Sequence, residues 1–296
     1  MRRKLVAFGM AAAALFLSGC AAVPRSCLVD NGCFALKLDD PSVPDRAGKF
    51  GCRFLRAGWI VSLRPAGSTE ELFHIRSLYG YHPAFGCTQE IVPELELSPN
   101  RQLKLGVGII EPNAENRFRA VPVELFPWVT CVTRTEDRVV MEARQNSGFH
   151  AGYAYELIVR VTVTDGSPEI VMWQKIQNLG LRPIRGQVYL HPFFNVHELQ
   201  SCYFRLPGGF VGRVFDLPES TSHTYTEGDS ARTLSAVFRT DLRYVVTIGS
   251  DESFEFVQIW HNSRNCFALE PFLPVDVAPG MVQEWNWRLC VYPEES

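Results

Sequence analysis

Residues 155–163 read Tyr-Glu-Leu-Ile-Val-Arg-Val-Thr-Val, and this stretch decides the fold. Tyr155, Leu157, Val159, Val161 and Val163 alternate with Glu156, Arg160 and Thr162, and only Ile158 departs from the rule. Successive side chains of a β-strand point to opposite faces, so a period of two marks a strand with one face in a core. The β-branched content points the same way. Near the C-terminus the pattern returns: Trp285, Trp287, Leu289 and Val291 alternate with Glu284, Asn286, Arg288 and Cys290.

Working outward, similar runs are expected at 57–63, 71–78, 103–110, 128–133, 137–144, 169–177, 185–190, 202–206, 233–240, 243–249 and 254–260. Turn formers separate them, among them Thr164-Asp165-Gly166-Ser167-Pro168, Asn178-Leu179-Gly180 and Pro207-Gly208-Gly209. No long 3.6-residue pattern occurs between Arg53 and Tyr292, and no repeat of fixed period speaks for a propeller. So many short strands need a packed pair of sheets. The expected fold is all-β, one large antiparallel β-sandwich over residues 51–296.

The chain has 296 residues, 46% of them hydrophobic, enough for a large core. Its formal net charge of −3 gives no general attraction to nucleic acid. Residues 1–19 combine Arg2, Arg3 and Lys4 with an apolar run from Leu5 to Leu17, the form of an export signal. Leu17-Ser18-Gly19-Cys20 resembles a bacterial lipobox, which implies cleavage before Cys20, a lipid on Cys20 and a membrane anchor without a spanning helix. No aspartate follows Cys20, so the resemblance implies the outer membrane of the cell envelope. Residues 20–50 read as the lipidated tether. Eight further cysteines follow, and Cys27 with Cys33 is the expected disulfide.

Chemistry begins with what is missing. The sequence has no G-x-S-x-G, no H-E-x-x-H, no P-loop and no C-x-x-C. Gly106-Val107-Gly108 lacks a third glycine, and His191 with His197 lacks a third ligand, so no cofactor and no metal are expected. In Leu190-His191-Pro192-Phe193-Phe194-Asn195 the proline removes a ladder donor and ends a strand, placing His191 where a strand opens into a loop. A second candidate, Glu270, lies between Phe267-Ala268-Leu269 and Pro271-Phe272.

The order of these segments resembles the aldose 1-epimerase (galactose mutarotase-like) superfamily. The likeness rests on His191 to Asn195, Ile259-Trp260, Leu269-Glu270-Pro271 and Pro279-Gly280, with Glu270 79 residues after His191. Leu103-Lys104-Leu105-Gly106-Val107-Gly108, and Gln145 with Tyr153-Ala154-Tyr155, resemble one uncharacterised branch of it, here in lipoprotein form. The resemblance implies a β-supersandwich and sugar anomers as substrate. It also implies Glu270 as base toward the anomeric hydroxyl and His191 as acid toward the ring oxygen. A carboxylate is a base at neutral pH, and a neighbouring negative charge favours protonated histidine. The two are expected to face each other across one cleft, about one sugar ring apart.

Trp260 offers a ring for a sugar face, and Arg117, Gln145 and Asn195 are candidate hydroxyl-binding groups. Glu115-Asn116-Arg117 departs from the family's Asn-x-Arg, and the His-Gly-Gly segment that carries a further active-site histidine is absent. His74, His82 and His150 have other contexts, and whether His223 and Glu227 line the cleft is open. Two functions follow: an aldose 1-epimerase-like isomerase of the envelope, or a non-catalytic carbohydrate-binding lipoprotein on the same fold. A lyase-like or hydrolytic activity is a third, on fold grounds alone.

Overall fold

The computed structural model describes residues 26–45, 49–75, 85–113, 120–196, 202–224, 232–239, 243–262 and 265–293. The strands in chain order begin with β1 (Ser26–Asp30), β2 (Phe34–Asp39), β3 (Leu55–Pro65) and β4 (Cys87–Val92). Then come β5 (Leu95–Ser98), β6 (Arg101–Lys104), β7 (Gly108–Glu111), β8 (Val121–Leu125), β9 (Trp128–Arg134), β10 (Arg138–Asn146), β11 (Tyr155–Thr164) and β12 (Glu169–Asn178). The second half holds β13 (Ile184–Pro192), β14 (Phe194–Asn195), β15 (Tyr203–Arg205), β16 (Val211–Arg213), β17 (Ser220–Thr224), β18 (Thr233–Arg239) and β19 (Arg243–Gly249). It closes with β20 (Phe256–His261), β21 (Cys266–Val277) and β22 (Val282–Pro293).

Among the described residues these strands make two nine-stranded sheets and a four-stranded one, β5-β6-β7-β8. The first large sheet runs β1-β2-β3-β4-β13-β21-β20-β17, with β14 joining β21, and the second runs β16-β15-β18-β19-β22-β12-β11-β10-β9. Every strand pairing among the described residues is antiparallel, as short connections require. The alternation read from 155–163 becomes packing: Tyr155, Leu157, Val159, Val161 and Val163 face a core shared with Trp285, Trp287, Leu289 and Val291. The first sheet answers with Leu36, Leu38, Val188, Leu190, Val257, Ile259, Leu269 and Leu273. Burying such side chains is worth about 1.5–3 kcal/mol each, which sets the sandwich as the dominant stabilising element.

Several expectations need correction. Part of the stretch read as a tether is β1 and β2, a hairpin on the edge of the first sheet. Cys27 and Val29, then Phe34, Leu36 and Leu38, take the same period-two alternation into the core. Their strands are short and sit among turn formers, which hides the period. Cys27 and Cys33 are not bridged to each other. Asn31 holds the turn between them through the N–H groups of Cys33 and Phe34, so Cys27 faces the core while the Cys33 thiol reaches the Gly166 carbonyl. The run 103–110 divides into β6 and β7 around a turn closed by the Val107 N–H on the Lys104 carbonyl. In 71–78 the described part makes only a single bridge, Phe73 to Phe194.

Candidate active site

On β13, Val188 and Leu190 point into the core, so Tyr189 and His191 point to the opposite, outer face of the first sheet. On β21, Leu269 and Leu273 take the core, so Ala268, Glu270 and Phe272 share that outer face. The two strands pair Tyr189 with Phe272, and β14 continues the register by pairing Phe194 with Phe267. Carried through the gap, this register sets His191 directly opposite Glu270. Prolines interrupt the ladder on both sides of that pair, because neither Pro192 nor Pro271 has an N–H to give. Two dipeptides, His-Pro and Glu-Pro, thus meet head to tail across two central strands.

The result is contact. Nε2 of His191 lies 3.1 Å from Oε1 of Glu270, with His191 3% and Glu270 4% exposed. This corrects the expected separation of one sugar ring. Phe193 stacks on the imidazole at 4.0 Å, Phe54 meets it edge-on at 5.3 Å, and the half-buried Trp260 ring stands 6.3 Å away. Phe54 and Phe193 belong to an aromatic cluster with Phe50, Trp59 and Phe85 that lies over this face, with Trp260 packed against it.

Beside the pair lies a buried charge network that the sequence reading passed over. Glu90 of β4 accepts from Arg53 Nε at 2.9 Å and from Lys104 Nζ at 2.8 Å, and the Tyr189 hydroxyl bonds the same carboxylate. Arg53 also donates to Tyr189 Oη at 3.0 Å and lies over the Phe54 ring at 4.3 Å. Burial alone would push the Glu90 carboxyl up, but Lys104 and Arg53 overcome it and hold the group at about 2. Burial works against the Arg53 charge, yet Tyr189, Glu90 and Glu270 raise its pKa overall. Tyr189 is driven well above the usual phenol value, first by burial. Period-two reasoning from His191 reaches Tyr189, but nothing local in the sequence links Arg53 or Lys104 to this face.

The Slr1438 protein from Synechocystis sp. PCC 6803 matches with a TM-score of 0.63 and 14% identity, over 94% of this chain and 99% of that one. A galactose mutarotase-like protein from Clostridium acetobutylicum matches with a TM-score of 0.61 and 11% identity, over 90% and 95%. A galactose mutarotase related enzyme from Lactobacillus acidophilus matches with a TM-score of 0.59 and 13% identity, over 90% and 97%. This chain has the galactose mutarotase-like fold. No protein-family model matches the sequence, and no curated protein does.

On this mutarotase-like fold the candidate residues divide. His191, Glu270 and Trp260 come together. Asn195 shares their face of the first sheet, with its side-chain amide 3.4 Å from the Glu71 carbonyl. Gln145 does not join them. It sits on β10 of the second sheet, in phase with core-facing Met141 and Ala143, buried with its amide on the Phe126 carbonyl and its oxygen on the Tyr155 hydroxyl. Arg117 and Cys20 lie outside the described residues, as do His82, His197 and Glu227.

His150 stacks on Phe126 and holds the Ser147 carbonyl, and it makes no part of the pair's surroundings. His223 pairs with Val257, so its direction is that of the core, away from Trp260. His74 is nearer: its main chain bonds the Phe193 carbonyl and its Nε2 lies 3.0 Å from the Asn265 carbonyl. Among the described residues no group of three or more His, Cys, Asp or Glu is placed to hold a metal ion.

Proposed function

We propose that this chain is an aldose 1-epimerase-like isomerase that interconverts sugar anomers through ring opening. The observation that carries the reading is the His191–Glu270 pair on one sheet face, 3.1 Å apart. In a cyclic aldose the anomeric hydroxyl oxygen and the ring oxygen are bonded to the same carbon. An acid and a base standing side by side can therefore reach both from one direction. Glu270 takes the hydroxyl proton while His191 gives one to the ring oxygen, and the bond from the anomeric carbon to the ring oxygen breaks. The open-chain aldehyde turns about its C1–C2 bond. Closure then runs the transfers backwards, returning the proton to His191 and taking one from Glu270. No net proton, metal or redox partner is consumed. Trp260 and Phe193 supply apolar surface for the sugar's C–H face, and entry requires part of the aromatic cover to move.

The burial of the pair favours a second reading, a carbohydrate-binding protein whose acid and base hold each other. Magnetisation-transfer NMR on glucose, galactose and xylose decides between them. Exchange well above the buffer rate, lost in His191→Gln and Glu270→Gln, is expected. Buffer-rate exchange with every sugar overturns the isomerase, and sugar binding in those same samples supports the second reading.

The envelope location rests on residues 1–20. Palmitate labelling and membrane fractionation of the full chain are expected to give a lipidated form that Cys20→Ser abolishes.

A further inference from the structure

A cavity of about 580 Å³ opens on the β1–β3 side of the first sheet, lined in part by Ser26, Lys37, Asp39, Lys49, Phe50 and Arg56. That volume is in the range of small-molecule sites. Lys37 and Asp39 alternate on β2 with Leu36 and Leu38, which take the core, so both project from the outer face, as His191 and Glu270 do. A chain of rings connects the two places. Phe50 meets Trp59 at 4.9 Å, Trp59 meets Phe54 at 5.9 Å, and Phe54 meets His191 at 5.3 Å.

The charges in this cavity do not balance. Arg56 spends itself on Asp39, with Nη2 at 2.8 Å and Nε at 3.1 Å, and on the Val43 and Asp40 carbonyls. Asp45 is spent on the chain turn, accepting from the N–H groups of Lys49 and Phe50 at 2.9 and 2.6 Å. Both acids therefore have fixed duties. Among the described residues, Lys37 and Lys49 have no carboxylate within ion-pair distance. The Lys49 ammonium lies over the Phe85 ring at 4.6 Å and the Phe50 ring at 5.4 Å, which fixes it without neutralising it. Its pKa is lowered, by burial first and then by repulsion from Lys37, which together outweigh the opposing pull of Asp39 and Asp45. An arrangement of two like charges over a concave surface gains most from an oxyanion placed between them.

We propose that this cavity binds the carboxylate or phosphate of an acidic saccharide, with Lys37 and Lys49 as its charged contacts. The saccharide half rests on the reading above, since it takes the shared sheet face as a sugar-handling surface; the oxyanion half stands apart from it. Calorimetric titration of the full chain with glucuronate, glucose 6-phosphate, inorganic phosphate and glucose tests both. Binding of the two charged sugars is expected, weakened at least about tenfold by Lys37→Gln or Lys49→Gln and by added salt.

Thermal unfolding of each lysine variant checks that it is folded. Charged sugars that bind no tighter than glucose, or equally well to folded lysine variants, overturn the proposal. Inorganic phosphate binding as tightly as both sugars overturns the saccharide half. Lysine-dependent binding in a chain without anomeric exchange supports the oxyanion site and tells against the isomerase alone.

Discussion

Two buried carboxylates, Glu90 and Glu270, stand on the outer face of the same sheet and are served differently. Glu90 is gripped by two permanent cations, Arg53 and Lys104, and by the Tyr189 hydroxyl. Glu270 meets an imidazole, a side chain without a permanent charge. A carboxylate held by guanidinium and ammonium cannot exchange protons at working pH, so it can only be a prop. A carboxylate beside a histidine can give and take a proton. The two carboxylates thus differ in what their partners allow, and each side can be broken alone.

The largest effect is expected from Glu90→Gln. It leaves Arg53 and Lys104 buried without their shared acid, a loss of about 3–5 kcal/mol in chemical denaturation at neutral pH. If Glu90→Gln unfolds at the same denaturant concentration as wild type, the prop is misassigned. His191→Gln is expected to do the reverse. It keeps a hydrogen-bonding side chain opposite Glu270 and costs about 1 kcal/mol of stability. Anomeric exchange falls about 10²–10⁴-fold.

Acid sharpens the same contrast. Glu90 titrates at about 2 in the folded chain against an ordinary 4.5. Its contribution is therefore complete above the ordinary value and lost as pH falls from there toward 2. Urea midpoints near neutral pH and at about pH 3 are expected to converge for wild type and Glu90→Gln as the medium turns acid. A gap that stays constant refutes the ion-pair account. The smallest effect belongs to Trp260→Ala, whose ring stands 6.3 Å from His191. It is expected to raise KM several-fold, about 1 kcal/mol, with kcat nearly unchanged.

Much of the fold is legible residue by residue. The alternation at 155–163 and 284–291 became β11 and β22, which flank β12 in the second sheet and turn their apolar side chains to the same core, because one apolar face has to be covered. The same rule explains the error at Gln145: it is in phase with Met141 and Ala143, and phase outweighs polarity once the core side is fixed. The hairpin of β1 and β2 escaped because five or six residues beside Pro, Gly and Asp give too little period to see. At the site, His191 and Glu270 were legible as candidates, His191 from the proline after it and Glu270 from its apolar flanks, with their roles implied only by the family resemblance. Arg53 and Lys104 were not, since only chain folding brings them to Glu90.

By itself the sequence determined an all-β sandwich and singled out His191 and Glu270 as candidates, since alternation and residue order are local properties. The tertiary structure decided which strands are neighbours and in what register. That step set His191 against Glu270 in contact, gave Glu90 its two cations and turned Gln145 inward. Parity along a strand gives the face of each side chain, but a partner across the ladder exists only once the sheet is assembled.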